Sequence, residues 1–201
     1  MKIAKNRTLF NETEFKAREE VIDGVERKVI EGYFIVYDSE TELFPGYMEK
    51  VNRGAFGDLS GKDIRALWNH NHDLVLGRTG NSTVEFRDDE YGLWGKILVN
   101  EEDQDAINGH ARVKRGDVTG SSFGFFLEDE GGEYRDGVYH SEIRKADLFE
   151  VSPCVFPAYP QTEIKSRQAK LESIEKERLN LRKAQSRTKL LEVRNGENVT
   201  E

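Results

Sequence analysis

The chain has 201 residues, 36% hydrophobic and 34% charged, with a net charge of -8. That composition fits one compact domain with a solvated appendage, and it argues against a protein whose main task is to grip nucleic acid or an anionic membrane through a basic surface. Cys154 is the only cysteine, so no intramolecular disulfide can form and a reducing compartment suffices. Met1 to Lys5 lead into polar residues, not an apolar signal segment, and no run approaches the roughly 18 apolar residues of a membrane span.

In chain order, the first clear element is a strand over residues 28–37. Val29, Tyr33, Ile35 and Tyr37 sit among small and polar neighbours and end at the turn-like Asp38-Ser39. Further strands are predicted over 64–68, 83–86, 92–99, 120–127 and 142–151, separated by Gly, Asp and Asn clusters. Phe123, Phe125 and Phe126 put apolar residues on both faces of one of them, which suggests a sheet covered by other elements. The expected architecture is mainly β with flanking helices (α+β), built as a closed or nearly closed barrel. One helix is predicted over 102–115. It begins in acidic residues, ends in Lys114 and Arg115, stops at Gly116, and should pack through Ala106, Ile107 and His110.

After Pro160 no aromatic residue follows. From Lys165 onward there are ten Lys and Arg against six Glu, a charge of +4 that leaves the rest of the chain at -12. Its leucines are too sparse for a heptad repeat, so the segment reads as a charged helical or disordered tail. The expected division is an N-terminal extension (1–28), a body (29–160) and the tail (161–201).

Three segments could carry chemistry. Read as an extended run, Leu67-Trp68-Asn69-His70-Asn71-His72-Asp73 puts His70 and His72 on one side. Two histidines invite a metal, but Asp73 points away and no Cys cluster or HExxH helix completes a ligand set. In Gly120-Ser121-Ser122-Phe123-Gly124, glycines around a serine pair permit the close backbone approach that a nucleophile and its oxyanion require. The bare G-x-S-x-G pattern fits, yet the flanks predict a strand and not the strand-turn-helix of a hydrolase elbow. In Asp147-Leu148-Phe149-Glu150-Val151-Ser152-Pro153, a carboxylate on an apolar strand needs a partner, and a histidine would give it the orienting role of a serine triad. Each segment also has a bland reading: surface histidines, a small-residue strand, or a Glu paired with Lys or Arg. Cys154 reads as a small core hydrophobe.

Taken together and in this order, these segments resemble the prohead protease family of tailed phages, similar in fold to the herpesvirus assembly proteases. The resemblance covers roughly residues 31–160. It rests on Glu31-Gly32-Tyr33, Arg53-Gly54-Ala55-Phe56, Leu67-Trp68-Asn69-His70 with Leu76-Gly77-Arg78, Gly92-Leu93, and Lys114-Arg115-Gly116. It continues through Ser122-Phe123-Gly124-Phe125, Leu148-Phe149-Glu150-Val151-Ser152-Pro153 and Pro157-Ala158-Tyr159-Pro160. It implies that residues 29–160 are a serine endopeptidase with Ser122 as nucleophile and His70 as general base. Glu150 becomes the third member in preference to His140 or Asp147, and no metal or cofactor is called for. The implied substrates are the phage major capsid protein with its scaffolding segment, and the protease itself, cut inside the procapsid in the host cytoplasm. Neither membrane nor nucleic acid is an expected partner, and self-assembly is left open. The rival readings are an inactive scaffolding or capsid-assembly protein of the same fold, and a metal-dependent hydrolase using His70 and His72.

Overall fold

The structure, a computed structural model, describes residues 4–9, 15–155 and 161–197. The chain divides into two compact units, residues 1–159 and 160–201. The first is mainly β. In order it comprises β1 (Ala4–Leu9), β2 (Lys16–Ile22), β3 (Val25–Val36), β4 (Thr41–Phe44), β5 (Tyr47–Val51), β6 (Arg65–Trp68) and β7 (Asn71–Arg78). After a short 3-10 turn come β8 (Val84–Asp88), β9 (Gly92–Leu98), α1 (Gln104–Arg115), β10 (Gly120–Arg135) and β11 (Val138–Cys154). The second unit is one helix, α2 (Gln161–Glu197), polar on all sides, with Leu179 and Leu181 more than half exposed. Among the described residues no helix is long and apolar enough to cross a membrane.

Strands β2-β3-β9-β8 form an antiparallel sheet, and the other seven form a mixed sheet. Among the described residues the ladders fall into these two sheets, and no closed barrel is found among them. Residues 16–28, assigned to an extension on sequence grounds, are in β2 and the start of β3, paired from Lys16 with Glu31 to Ile22 with Val25. The spine of the larger sheet is β11. On one side it pairs with β10 over nearly its whole length; on the other its first half runs parallel to β5 and its last part runs parallel to β6. Both β10 and β11 extend well beyond the expected strands, because their distal halves alternate polar residues that carry no apolar run to read.

Three of the hairpins turn in two residues with both central residues at positive φ, the type I′ pattern that matches the right-handed strand twist. Asp23-Gly24 (φ 51, 77) joins β2 to β3, and Asp136-Gly137 (φ 49, 87) joins β10 to β11. The third, Asn69-His70 (φ 50, 59), joins β6 to β7 and contains no glycine.

The core lies between the sheets and under α1. The helix is capped by Asp103, whose side chain accepts from the Asp105 N–H at 2.9 Å, and ends at Gly116 in the left-handed conformation (φ 86). It buries Ala106, Gly109, His110 and Val113, with Ile107 only half-buried. A Cβ on Gly109 would stand 3.3 Å from the Trp68 indole, so the bare glycine lets the helix lie close on the residue that leads into the Asn69-His70 turn. Phe34 is the extra residue of a bulge in β3, and its carbonyl accepts from the Ser121 hydroxyl at 2.7 Å, tying the small sheet to β10. Beside it Phe123, fully buried, stacks on Phe125 with ring centres 5.4 Å apart and meets Phe56 edge-on at 5.8 Å.

The Phe123 ring anchors the strand that carries Ser122, and removing it leaves a cavity that the surrounding rings cannot fill. Phe123→Ala should cost about 3–5 kcal/mol in urea denaturation, and Phe123→Leu much less. Equal costs would mean that the stacking of the ring, and not the volume it fills, is what holds β10 in place.

Candidate active site

In β11, Glu150 is 2% exposed. A carboxylate removed from water needs hydrogen bonds to both oxygens or a counter-charge, and this one has them. Its Oε1 lies 2.8 Å from Nδ1 of His70, and its Oε2 accepts from the Ser152 hydroxyl at 2.9 Å. The same hydroxyl accepts the backbone N–H of His70 at 3.1 Å. The result is a closed circuit: imidazole to carboxylate, carboxylate to hydroxyl, hydroxyl back to the main chain that bears the imidazole. A carboxylate only accepts, so Nδ1, which faces it, carries the proton, and in the neutral imidazole that leaves the lone pair on Nε2.

The turn that holds His70 is strapped to the end of β11. The Asn69 N–H donates to the Pro153 carbonyl at 3.2 Å, and its Oδ1 accepts from the Val155 N–H at 2.9 Å. Asn is among the residues that tolerate a left-handed backbone best; His tolerates it at a cost that these bonds offset.

Cross-strand partners in a sheet share a face. Ser122 of β10 stands opposite Ser152, and Gly124 opposite Glu150, so Ser122 is on the face of the sheet that bears the circuit. Gly124 has no side chain to set against the carboxylate. Ser121, Phe123 and Val151 point the other way, into the core. Between Gly124 and Phe125 the ladder shifts by one residue, Phe149 being the extra one on β11. Bulges of this kind are common beside active sites, where they re-aim side chains.

The other residues singled out in the sequence are engaged elsewhere. His140 bonds Glu40 at 2.8 Å near the far end of β11, ten positions from Glu150 or roughly 33 Å along an extended strand. Asp147 pairs with Lys62 at 3.1 Å. His72 is exposed on β7, and it does not alternate with His70 as on a continuous strand, because the chain reverses at Asn69-His70. Among the described residues no group of three or more His, Cys, Asp or Glu is placed to hold a metal ion. Cys154 is buried, and burial first, then the charge of Glu150, pushes its thiol up to about 12, which leaves almost no nucleophilic thiolate at neutral pH. Two contributors are absent from the sequence reading. Ser152 could have been found from the period of two that puts it on the Glu150 face; Asn69 gave no hairpin signal because no glycine follows it.

A hydroxyl, an imidazole and a carboxylate that fixes the imidazole are the groups of a serine hydrolase. The model of the caudovirus prohead serine protease family matches residues 12–177, most of the sequence, and the chain belongs to that family. It is therefore a serine-type protease of phage capsid maturation. Among solved structures it is similar to the bacteriophage T4 capsid assembly protease, gp21, with a TM-score of 0.45 and 14% identity, over 76% of this chain and 99% of that one. No curated protein matches.

Ser152→Ala removes the donor to Glu150 and the acceptor for the His70 N–H together. It should cost about 1–3 kcal/mol in chemical denaturation and broaden or shift the NMR signal of the His70 ring. An unchanged ring signal would mean that the circuit does not hold the imidazole.

Proposed function

We propose that the chain is an endopeptidase in which Ser122 is the nucleophile, His70 the general base and Glu150 the residue that orients and charge-balances His70. The observation that supports this best is the 2.8 Å contact between His70 Nδ1 and the buried Glu150, on the sheet face that also carries Ser122. In the reaction, the Ser122 hydroxyl attacks a peptide carbonyl while Nε2 of His70 takes its proton, and the carbonyl C–N bond breaks as that proton passes to the leaving amine. Water then repeats the sequence on the acyl-enzyme and restores Ser122. Glu150 holds the imidazole in place and stabilises the imidazolium formed in each half. Ser121, whose hydroxyl is committed to the Phe34 carbonyl, is structural in this scheme.

The family's description as a prohead protease supports action inside the prohead, where the proposed substrates are the capsid protein with its scaffolding segment, and the protease itself. Confinement with the substrate raises effective concentration, so a modest enzyme suffices. We assign the charged tail a role in capture by an acidic partner surface.

The roles separate by mutation. Ser122→Ala and His70→Ala should each lower cleavage of co-expressed capsid protein by about 10³-fold or more, read by mass spectrometry. His72→Ala and Ser121→Ala should keep substantial activity, and chelators should do nothing. Normal processing by Ser122→Ala would overturn the assignment; equal loss in both histidine variants, rescued by zinc, would favour a metal enzyme.

The tail is tested separately. The family match ends at residue 177, and a chain stopped there loses six Lys and Arg against three Glu. Carrying Ser122→Ala to prevent self-cleavage, it should stay folded but sediment with assembling shells less than the full chain does. Salt should weaken the full chain's retention, since long-range attraction is screened. Equal incorporation of the two would remove the tail from packaging.

A further inference from the structure

Ser122 is fully buried, yet a peptide carbonyl must come within about 3–3.5 Å of its hydroxyl to react. The strand that bears it shows how a peptide could arrive. One side of β10 is paired with β11; the other edge, from Ser121 to Phe126, is paired with β1 alone. The register is antiparallel, Ala4 opposite Phe126 and Leu9 opposite Ser121, with Thr8 directly opposite Ser122.

We infer that this edge of β10 is the surface on which an extended peptide substrate docks, and that β1 occupies it as an internal substrate-like strand that must leave before cleavage. The inference rests on Ser122 being the nucleophile. Four observations carry it. First, β1 is the terminal strand of its sheet, so its departure breaks one ladder and leaves the β10–β11 pair intact. Second, its sequence, Ala-Lys-Asn-Arg-Thr-Leu, has four consecutive polar residues and lacks the apolar alternation by which a strand buries one face. Its place in the sheet is defined by main-chain pairing to β10, which any extended peptide can supply. Third, the family match begins at residue 12, so β1 lies outside the part of the chain shared with the family. Fourth, opposed residues in an antiparallel pair have Cα atoms about 4.5–5.5 Å apart. A strand in this register therefore runs directly beside Ser122, with Thr8 as the opposed residue. Once vacated, the edge is a row of unpaired N–H and C=O groups that a substrate strand completes.

The probe is a fluorescent peptide of residues 1–10, Met-Lys-Ile-Ala-Lys-Asn-Arg-Thr-Leu-Phe, titrated by anisotropy into two full-length proteins. Both carry Ser122→Ala, and one also carries Arg7→Pro and Thr8→Pro. Successive residues of a strand direct their N–H groups to opposite sides, so two adjacent prolines delete at least one ladder donor. If β1 holds the edge nine times in ten, the parent binds the peptide about ten-fold more weakly than the proline protein, and that difference is the expected result. Equal affinity, or no binding to either, overturns the inference.

The same comparison with Ser122 restored reads a fluorophosphonate label. It should attach faster to the proline protein, and the free peptide should slow it. A peptide that binds the proline protein while neither protein labels would uphold the docking edge and remove Ser122 as nucleophile. Equal labelling of both with no peptide binding would leave the nucleophile and remove the docking edge.

Discussion

A carboxylate taken out of water must be met by hydrogen bonds, and the way Glu150 is met decides where everything else in the site stands. Its two oxygens are used by His70 and Ser152, and Ser152 in turn takes the His70 N–H. Leaving one member unpaired would strand a buried polar group at a cost of about 1–3 kcal/mol, so the imidazole, the turn that bears it and the end of β11 are positioned as a unit. Asn69 adds two more bonds to the same stretch of β11, at Pro153 and Val155. The histidine is thus held by its backbone as firmly as by its ring.

That backbone is in an uncommon conformation. The turns at Asp23-Gly24 and Asp136-Gly137 use glycine where φ must be positive; the turn at Asn69-His70 has the same geometry and a side chain at both positions. A non-glycine residue held in a sparsely populated region costs of order 1–3 kcal/mol and persists only where its surroundings over-determine it. Glycine would relieve the turn and delete the imidazole. The straps to β11 are the compensation that lets an imidazole stand at the tip of a two-residue hairpin.

The strand opposite turns one face to the core and the other to the circuit. Ser121 and Phe123 point into the core, where one closes a bulge carbonyl and the other stacks with aromatic rings; Ser122 and Gly124 point to the circuit. Because side chains alternate with a period of two, a slip of one residue would bury Ser122 in the core and present Ser121 to the circuit. The Phe123 stack and the Ser121 bond to Phe34 both oppose that slip, which makes core packing a determinant of which serine is presented. The bulge at Phe149 takes up the mismatch just beyond Glu150.

Much of this protein is legible in its residues. The capped helix that stops at Gly116, the apolar strands around Ile35, Trp94 and Phe123, and the need of Glu150 for a partner all follow from local patterns, because caps, glycines and alternation act over a few residues. The turns at Asp23-Gly24 and Asp136-Gly137 are local signals of the same kind, but no hairpin is expected at either, because the polar stretches beside them carry no apolar run. What no local pattern contains is which carboxylate meets His70. His140, Asp147 and Glu150 all lie on β11, and Glu150 meets the histidine because β6 runs beside the last part of β11 while β5 takes the first. The same holds for Thr8 standing opposite Ser122, and for the sorting of the ladders into two sheets. Strand pairing joins residues 80 or more positions apart, its register is set by packing across the whole sheet, and only the tertiary structure could decide it.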